Sequence, residues 1–215
     1  MGGDSDPAPV SPALLEEVAG FGTATLHEAA GRIGALPGAI APLDRRMKLW
    51  GRAMPVSAPA DDNLALHRAI AEGQPGDVLV VENGGSLSHG PFGDILALAA
   101  KVRGIRGLVI DGGVRDSESL IEMGFPVFAR GCSIRGTIKR DPGRVGEPVT
   151  IGGIEIRRGD IVIGDADGVV ILPAVDLAVI HQAAIARMAA EADLRQAIRR
   201  GRLTLDLLGL SRLVS

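Results

Sequence analysis

Two short stretches of this chain hold residue types that could do chemistry together. The first is Gly93-Asp94-Ile95-Leu96, where a helical pattern opens straight after a loop. The leading N–H groups of a helix lack internal partners and carry the positive end of its dipole, so they can cradle a carboxylate or a phosphate. A glycine at that point lets an anion approach the backbone closely. The same tetrapeptide also reads as an ordinary helix cap, with Asp94 complementing the dipole. The second stretch is Asp111-Gly112-Gly113-Val114-Arg115-Asp116, directly after the apolar run Leu108-Val109-Ile110. Ligands of open α/β sheets collect at the carboxyl ends of the strands. An arginine beside an aspartate there offers a planar fork for a carboxylate and a hard oxygen for a cation. Its plainer reading is a turn with a surface ion pair.

The remaining candidates carry weaker signals. Gly164-Asp165-Ala166-Asp167-Gly168 resembles a calcium loop but lacks a third loop carboxylate and a distal glutamate, so a hairpin turn is expected. Cys132 has no base near it in sequence and reads as a structural thiol. His67 is placed on the apolar face of its helix, where a buried, hydrogen-bonded histidine is the default. Glu28 reads as helix surface. No GxGxxG, Walker A or GxSxG pattern is present, which removes the usual support for dinucleotide, P-loop and α/β-hydrolase chemistry. The three lysines, Lys48, Lys101 and Lys139, lie outside apolar runs that would depress their pKa, so Schiff-base chemistry has no signature.

The elements that must position these residues alternate. Ser11 caps a short helix with Pro12 at its first position. Thr23 or Thr25 is expected to cap a helix over residues 26–33, ended by Gly34. Met47–Ser57 reads as a strand pair or one bent strand. Asn63–Glu72 reads as a helix with Leu64, His67, Ile70 and Ala71 on one face. Strands are expected at residues 78–81, 108–110 and 126–129, with helices at 93–103 and 117–123 and loops at 83–91 and 111–116. This βαβαβ order implies parallel strands with right-handed crossovers. A hairpin around Gly152-Gly153, strands at 161–163 and 169–172, and a helix from Pro173 to about Arg200 complete the chain. That helix is expected to bury Val175, Val179, Ala183, Ala186 and Ala190. Residues 1–10 read as a frayed tail before a single domain over 11–215.

Composition removes whole classes of function. The 215 residues carry 23 Lys and Arg against 26 Asp and Glu, a net charge of −3, so the basic face of a nucleic-acid binder is not implied. Hydrophobic residues make up 46%, and no apolar run approaches a membrane span. One cysteine excludes a disulfide within the chain and suits a reducing compartment. A soluble, cytoplasmic protein is expected.

Several stretches together resemble the 4-hydroxy-4-methyl-2-oxoglutarate aldolase family, whose fold is shared with the regulator of ribonuclease activity A proteins. They are TLHEAAGRIG, DNLALHRAI, QPGDVLVV, FGDILALAAKVRGIRGLVIDGGVRD, FPVFARG and GDIVIGDADGVVILP, and the likeness runs over residues 11–210. Its most specific part is the Gly-Asp-x-Leu helix start with Arg-Asp following, Asp116 standing 22 residues after Asp94. The fold implied is a swivelling β/β/α domain with a parallel βαβ core, extra hairpins and a long C-terminal helix. The activity implied is a divalent-metal-dependent, class II retro-aldol cleavage of 4-hydroxy-2-oxo diacids to pyruvate, with Mg²⁺ or Mn²⁺ as cofactor and oxaloacetate decarboxylation as a side activity. By the same resemblance Asp116 ligates the metal, and Asp94 acts on it through water. Arg115 and the amides of Gly93, Asp94, Ile95 and Leu96 hold the pyruvate moiety. Asn63 lines the substrate site, and Glu28 and His67 line it beside Arg115 and Asp94 in catalytic positions. Glu191 matches an acid donated, through water, by the neighbouring subunit of a homotrimer or dimer of trimers. The other class of function is a non-enzymatic ribonuclease-regulator-like binding protein; the presence of Glu28, Asp94, Arg115, Asp116 and Glu191 together favours the enzyme.

Overall fold

In a computed structural model that describes residues 10–214, the chain folds as a mixed α/β structure. The frayed tail expected at residues 1–10 lies outside the described residues except for Val10. Ser11 accepts a hydrogen bond from the Leu14 amide at 3.2 Å, and with Pro12 behind it starts α1 (Pro12–Ala19) where sequence requires. The second helix, α2 (Thr23–Ala29), ends before the expected residue 33 because Gly31 and then Arg32 adopt left-handed conformations, φ 78° and 67°. Gly22 occupies its N-cap, so neither Thr23 nor Thr25 does.

The sheet is built from β1 (Ala41–Pro42), β2 (Leu49–Ser57), β3 (Asp77–Ser86), β4 (Gly107–Val114), β5 (Val127–Cys132), β6 (Arg144–Val145), β9 (Ile161–Asp165) and β10 (Gly168–Leu172). Between these come α3 (Leu64–Glu72), α4 (Asp94–Val102), α5 (Ser117–Glu122) and a separate hairpin of β7 (Val149–Ile151) and β8 (Ile154–Ile156). A 3-10 turn at Ala174–Asp176 leads into α6 (Leu177–Arg199), followed by α7 (Thr204–Leu207). The strand order is β1-β5-β4-β3-β2-β9-β10, with β6 beside β2. Strands β2 to β5 are mutually parallel, as the βαβ alternation demands, and β1, β9 and β10 pair antiparallel. β2 is one strand; Pro55 falls between the stretches that pair with β9 and with β6. Gly34 and Leu36 bond to β10, and a few residues later β1 pairs with β5, so segment 34–42 bridges the two edges and nearly closes the sheet.

Both faces of the parallel strands are buried, which is why they read as continuous apolar runs. Leu79, Val81, Leu108 and Ile110 pack against Leu66, Ala69, Leu96, Ala97 and Leu120 of α3, α4 and α5. Val78, Val80, Val109 and Phe128 pack on the other side against Val149, Ile151 and Ile156 of the hairpin. Several expectations fail here. The loops expected at 83–91 and 111–116 begin late, because β3 continues to Ser86 and β4 to Val114. Gly112 marks close packing and not a turn: a Cβ there would lie 2.4 Å from the Asn83 Oδ1 on the next strand. The buried face of α3 is Ala65, Leu66, Ala69 and Ile70, which leaves His67 exposed. Likewise α6 buries Leu177, Ile180, His181 and Ala184, and leaves Val175 and Val179 exposed. The buried faces are rotated well away from the expected ones, a rotation that apolar spacing on an alanine-rich helix does not resolve. Cys132 is a free, exposed thiol at the end of β5.

The stretch Asp165–Gly168 forms the hairpin turn expected of it. Asp165 Oδ2 accepts from the Thr23 amide at 2.8 Å, and Oδ1 from the Thr23 hydroxyl at 2.7 Å and the Asp167 amide at 3.0 Å. Burial alone would raise this carboxyl; the bonds from Thr23 and Asp167 outweigh it and hold it below the usual range. A depressed carboxylate contributes stability above its unfolded value of about 4 and loses it as pH falls. Asp165→Asn is therefore expected to lower the urea unfolding free energy at pH 7 by about 1 kcal/mol, allowing for its contact with solvent. The difference from wild type should shrink below about pH 4. A difference that is constant from pH 7 to pH 3 would show that the charge does not hold α2 to the hairpin.

Candidate active site

The carboxyl end of β4 delivers Arg115 and Asp116 to the first turn of α4. Val114 is fully buried, and the Arg115 amide donates to the Phe92 carbonyl at 2.9 Å. Asp116 takes a left-handed conformation (φ 56°, ψ 39°), which few non-glycine residues adopt. That turn points its carboxylate at α4: Oδ2 accepts from the Asp94 amide at 3.4 Å and lies 3.3 Å from the Arg115 Nε. Asp94 turns its own Oδ1 onto the Ile95 amide at 2.7 Å. Gly93 is extended (φ −149°), so it is required for space and not for a positive φ. A Cβ on it would lie 2.3 Å from the Asp116 Oδ2 and 3.0 Å from the Arg115 Cγ. The Arg115 and Asp116 side chains are 43% and 37% exposed, so the group opens to solvent.

Segment 90–93 is fixed from three sides. Asn63, 8% exposed at the start of α3, donates through Nδ2 to the Pro91 carbonyl at 3.0 Å. The Gly90 amide donates to the Arg135 carbonyl at 2.9 Å. Phe92 is fully buried and stacks on Phe125 at 5.9 Å. Asn63 thus holds the backbone that leads into Gly93, and its buried Oδ1 has no partner among the described residues.

Of the residues expected in the site, the chain brings Gly93, Asp94, Ile95, Leu96, Arg115 and Asp116 together, with Asn63 beneath them. His67 sits one turn along α3 from Asn63; its partial burial and then the nearby Lys139 lower its pKa. Glu28 and Glu191 lie elsewhere in the protomer, on α2 and α6. Arg187 joins them, its Nη1 3.7 Å from Glu28 Oε2 and its Nε 3.2 Å from Glu191 Oε1. Arg32 also binds Glu28 at 3.1 Å, holding its carboxyl below the usual range, and Arg195 binds Glu191 at 2.8 Å. No hydrogen bond or ion pair among the described residues links either glutamate to Asp94, Arg115 or Asp116. Asp111, which sequence places in the same loop as Arg115, is buried on β4 and paired with Arg130 of β5 at 2.5 Å.

Sequence reasoning passed over segment 133–141. Its Gly136 approaches the Arg115 guanidinium, a Cβ there lying 3.6 Å from Nη1. Three cations, Arg135, Lys139 and Arg140, stand within six residues and were the available signal. An open cleft of about 610 Å³ also lies at the carboxyl ends of β2 and β3, lined by Ser57, Glu82, Asn83 and Arg144, apart from Asp94 and Arg115.

Among the described residues no group of three or more His, Cys, Asp or Glu is placed to hold a metal ion. The Asp116 carboxylate meets the main chain of Asp94 beside bare backbone, and the Asp94 carboxylate stands on the same first turn of α4. That suits a hard cation whose remaining positions are filled by water or by another chain. No helix among the described residues is long and apolar enough to cross a membrane.

The family model described as RraA-like, Aldolase/RraA, matches residues 23–171, which include the whole of this group. A provisionally named 4-hydroxy-4-methyl-2-oxoglutarate aldolase of Halalkalibacterium halodurans is 36% identical over 151 residues, 70% of this chain and 72% of that one. The 4-hydroxy-4-methyl-2-oxoglutarate aldolase of Thermus thermophilus is 34% identical over 113 residues, 53% of this chain and 69% of its own. Among solved structures, Streptomyces coelicolor RraAS2, described as an unusual member of the RNase ES inhibitor RraA protein family, superposes with a TM-score of 0.77 at 31% identity. That likeness covers 89% of this chain and 99% of the other. Relatives' names thus point to aldolase activity in the family, beside a ribonuclease inhibitor. By the family match, the relatives' identity and the shared fold, this chain belongs to the RraA-like, Aldolase/RraA family.

Proposed function

We propose that the protein is a divalent-metal-dependent, class II aldolase. It cleaves 4-hydroxy-2-oxo diacids such as 4-hydroxy-4-methyl-2-oxoglutarate to pyruvate and decarboxylates oxaloacetate as a side reaction. The observation that carries this reading is the convergence of Arg115, Asp116 and the first turn of α4 beside Gly93, where no side chain fits. Asp116 would hold Mg²⁺ or Mn²⁺ directly and Asp94 through water. When bound, such a cation supplies Lewis-acid polarisation of the 2-oxo group.

The chain's own residues bind and orient the substrate. The amides at the start of α4, of which those of Asp94 and Ile95 meet the Asp116 and Asp94 carboxylates here, receive the pyruvyl carboxylate once those carboxylates turn to the cation. The Arg115 fork takes the oxygens of the 2-oxo acid and stabilises the charge that grows there as the C3–C4 bond breaks. A water molecule acting as base takes the proton of the 4-hydroxyl, C4 becomes the carbonyl of the leaving product, the electron pair of C3–C4 moves into the pyruvate enolate, and C3 then gains a proton from water. Asn63 keeps segment 90–93 in place during these changes. Decarboxylation of oxaloacetate passes through the same enolate, with carbon dioxide leaving.

We extend the reading to a homotrimer or dimer of trimers in which Glu191 of one chain completes the site of the next. Its support is the arm that carries Glu191. None of the described residues 185–214 is buried, although Ile185, Met188, Ile198, Leu203, Leu208 and Leu213 are among them. A helix with that much uncovered apolar surface needs a partner, and a second copy supplies one at equal stoichiometry. The single cysteine suits a cytoplasmic setting.

Dialysis against EDTA is expected to abolish pyruvate release in a lactate-dehydrogenase-coupled assay, and Mg²⁺ or Mn²⁺ to restore it. Full activity in EDTA would remove the metal from the reading. Binding to a ribonuclease with no turnover of either substrate would replace the enzyme with a regulator.

A further inference from the structure

Arg115 and Asp116 stand where the parallel strands finish. At the opposite edge, where those strands begin, two other arginines flank the turn into β3. The Arg52 amide on β2 donates to the Gly76 carbonyl at 3.2 Å, and the Arg106 amide, just ahead of β4, donates to the Asp77 carbonyl at 2.8 Å. Because β3 lies between β2 and β4, these bonds fix the two arginines on either side of one turn. Arg106 Nη1 donates to the Trp50 carbonyl at 3.4 Å, and its guanidinium lies over the Trp50 ring, 5.2 Å from the centroid. Arg52 is two residues along β2 from Trp50 and so on the same face of the strand. Its Nη2 lies 3.9 Å from the point that a Cβ on Gly76 would take.

Both arginines line a cavity of about 170 Å³. Val10, Pro12 and Leu15 from the start of α1, with Pro75 of the turn, give it an apolar wall. Among the described residues neither guanidinium forms an ion pair with a carboxylate. Glu16 also lines the cavity but is paired with neither. Asp77, opposite Arg52 in register, gives its Oδ2 to the Gln74 amide at 2.9 Å and to Arg158 at 3.8 Å. Arg106 commits one N–H, to an uncharged carbonyl, and keeps its other donors. Two forks without counter-charges thus face one small space whose remaining wall is largely aliphatic.

We propose that this cavity binds a short aliphatic monocarboxylic acid, with the carboxylate between Arg52 and Arg106 and the chain against Val10, Pro12, Leu15 and Pro75. Guanidinium forks meet the two oxygens of a carboxylate in its own plane. The volume equals that of roughly five or six waters at about 30 Å³ each, which suits an acid of about four to six carbons. Glu16 on the wall repels a second negative charge, which disfavours diacids and phosphate. The cavity shares no residue with the Arg115 group, so this site stands whether or not the reaction proposed above does.

Trp50 is the only tryptophan in the chain, so its emission reports on the Arg106 side of this cavity. Butyrate is titrated into the intact protein, with Trp50 emission and calorimetry read together. Butyramide, its uncharged isostere, and inorganic phosphate are the comparison probes. Butyrate is expected to bind saturably and to change the Trp50 emission, and butyramide to bind at least tenfold more weakly. Arg52→Ala and Arg106→Ala should each weaken butyrate roughly tenfold to a hundredfold, the usual value of a hydrogen bond to a charged group. Arg106→Lys, which keeps the charge and loses the fork, should fall between. Unchanged urea unfolding curves report that the variants are folded; if Arg106→Ala does not fold, Arg52→Ala and Arg106→Lys decide. No saturable binding of butyrate by wild type, equal binding of butyramide, or wild-type affinity in the folded variants overturns the proposal. Phosphate binding as tightly as butyrate overturns the aliphatic acid as the ligand.

Discussion

Arg115→Lys is expected to lower kcat/KM for pyruvate release about a hundredfold while the urea unfolding curve stays where it is. The fold is insulated because Arg115 is held in place by its backbone amide on the Phe92 carbonyl, a bond that lysine keeps. The side chain is 43% exposed and makes one ion pair, 3.3 Å to Asp116, which an ammonium can also approach. What lysine cannot supply is the planar fork that meets two oxygens at once. In the proposed reaction those oxygens carry the charge that develops as C3–C4 breaks, and losing one such contact costs roughly 3 kcal/mol. The loss should fall on kcat more than on KM, because the contact strengthens in the transition state. Turnover near the wild-type rate would make Arg115 an ion-pair partner that holds Asp116 and nothing more.

The second large effect concerns Glu191. Asp116→Ala and Glu191→Ala are each expected to be nearly inactive. Co-refolded in equal amounts, they should recover roughly a quarter of wild-type activity, because random assortment around a ring gives that fraction of sites an intact Asp116 from one chain and an intact Glu191 from the next. Among the described residues of one protomer Glu191 pairs with Arg187 and Arg195, the arrangement expected of an ordinary helix surface. Glu28 shares Arg187 with it, so the two glutamates would travel together to a neighbour's site. Mixed oligomers that recover nothing would leave both as surface ion pairs.

Much of the site is legible in the chain because both halves lie where parallel strands end. Once residues 78–81 and 108–110 read as buried strands with helices after them, Gly93–Leu96 and Arg115–Asp116 must emerge at the same edge of the sheet, whatever the loops do. The family resemblance, the parallel pairing of the βαβ core and the long helix after Pro173 were legible for the same reason: each rests on local pattern and on the handedness of short connections. The candidate site's glycine was legible as well, as a point where an anion comes close to the backbone. Gly93 is there because Asp116 turns back onto it, and that left-handed turn at Asp116 has no marker in the sequence.

The tertiary structure alone decided which face each helix buries and which charges meet. His67 falls on the exposed side of α3, and Val175 and Val179 on the exposed side of the α6 region, because the neighbouring strands present Leu79, Ile110, Ile161 and Ile163 to other turns of those helices. Asp111 leaves the candidate site for Arg130 because β4 runs on past the turn that its two glycines suggested. Segment 133–141 comes to lie against Arg115 through bonds to the backbone of Gly90, Asp61 and Asn63 and to the Asp62 carboxylate, residues far away in the chain. Periodicity and spacing carry information over a turn or a strand. Contacts between residues dozens of positions apart depend on how whole layers slide and rotate to fill the core, and that is settled by packing all the side chains at once.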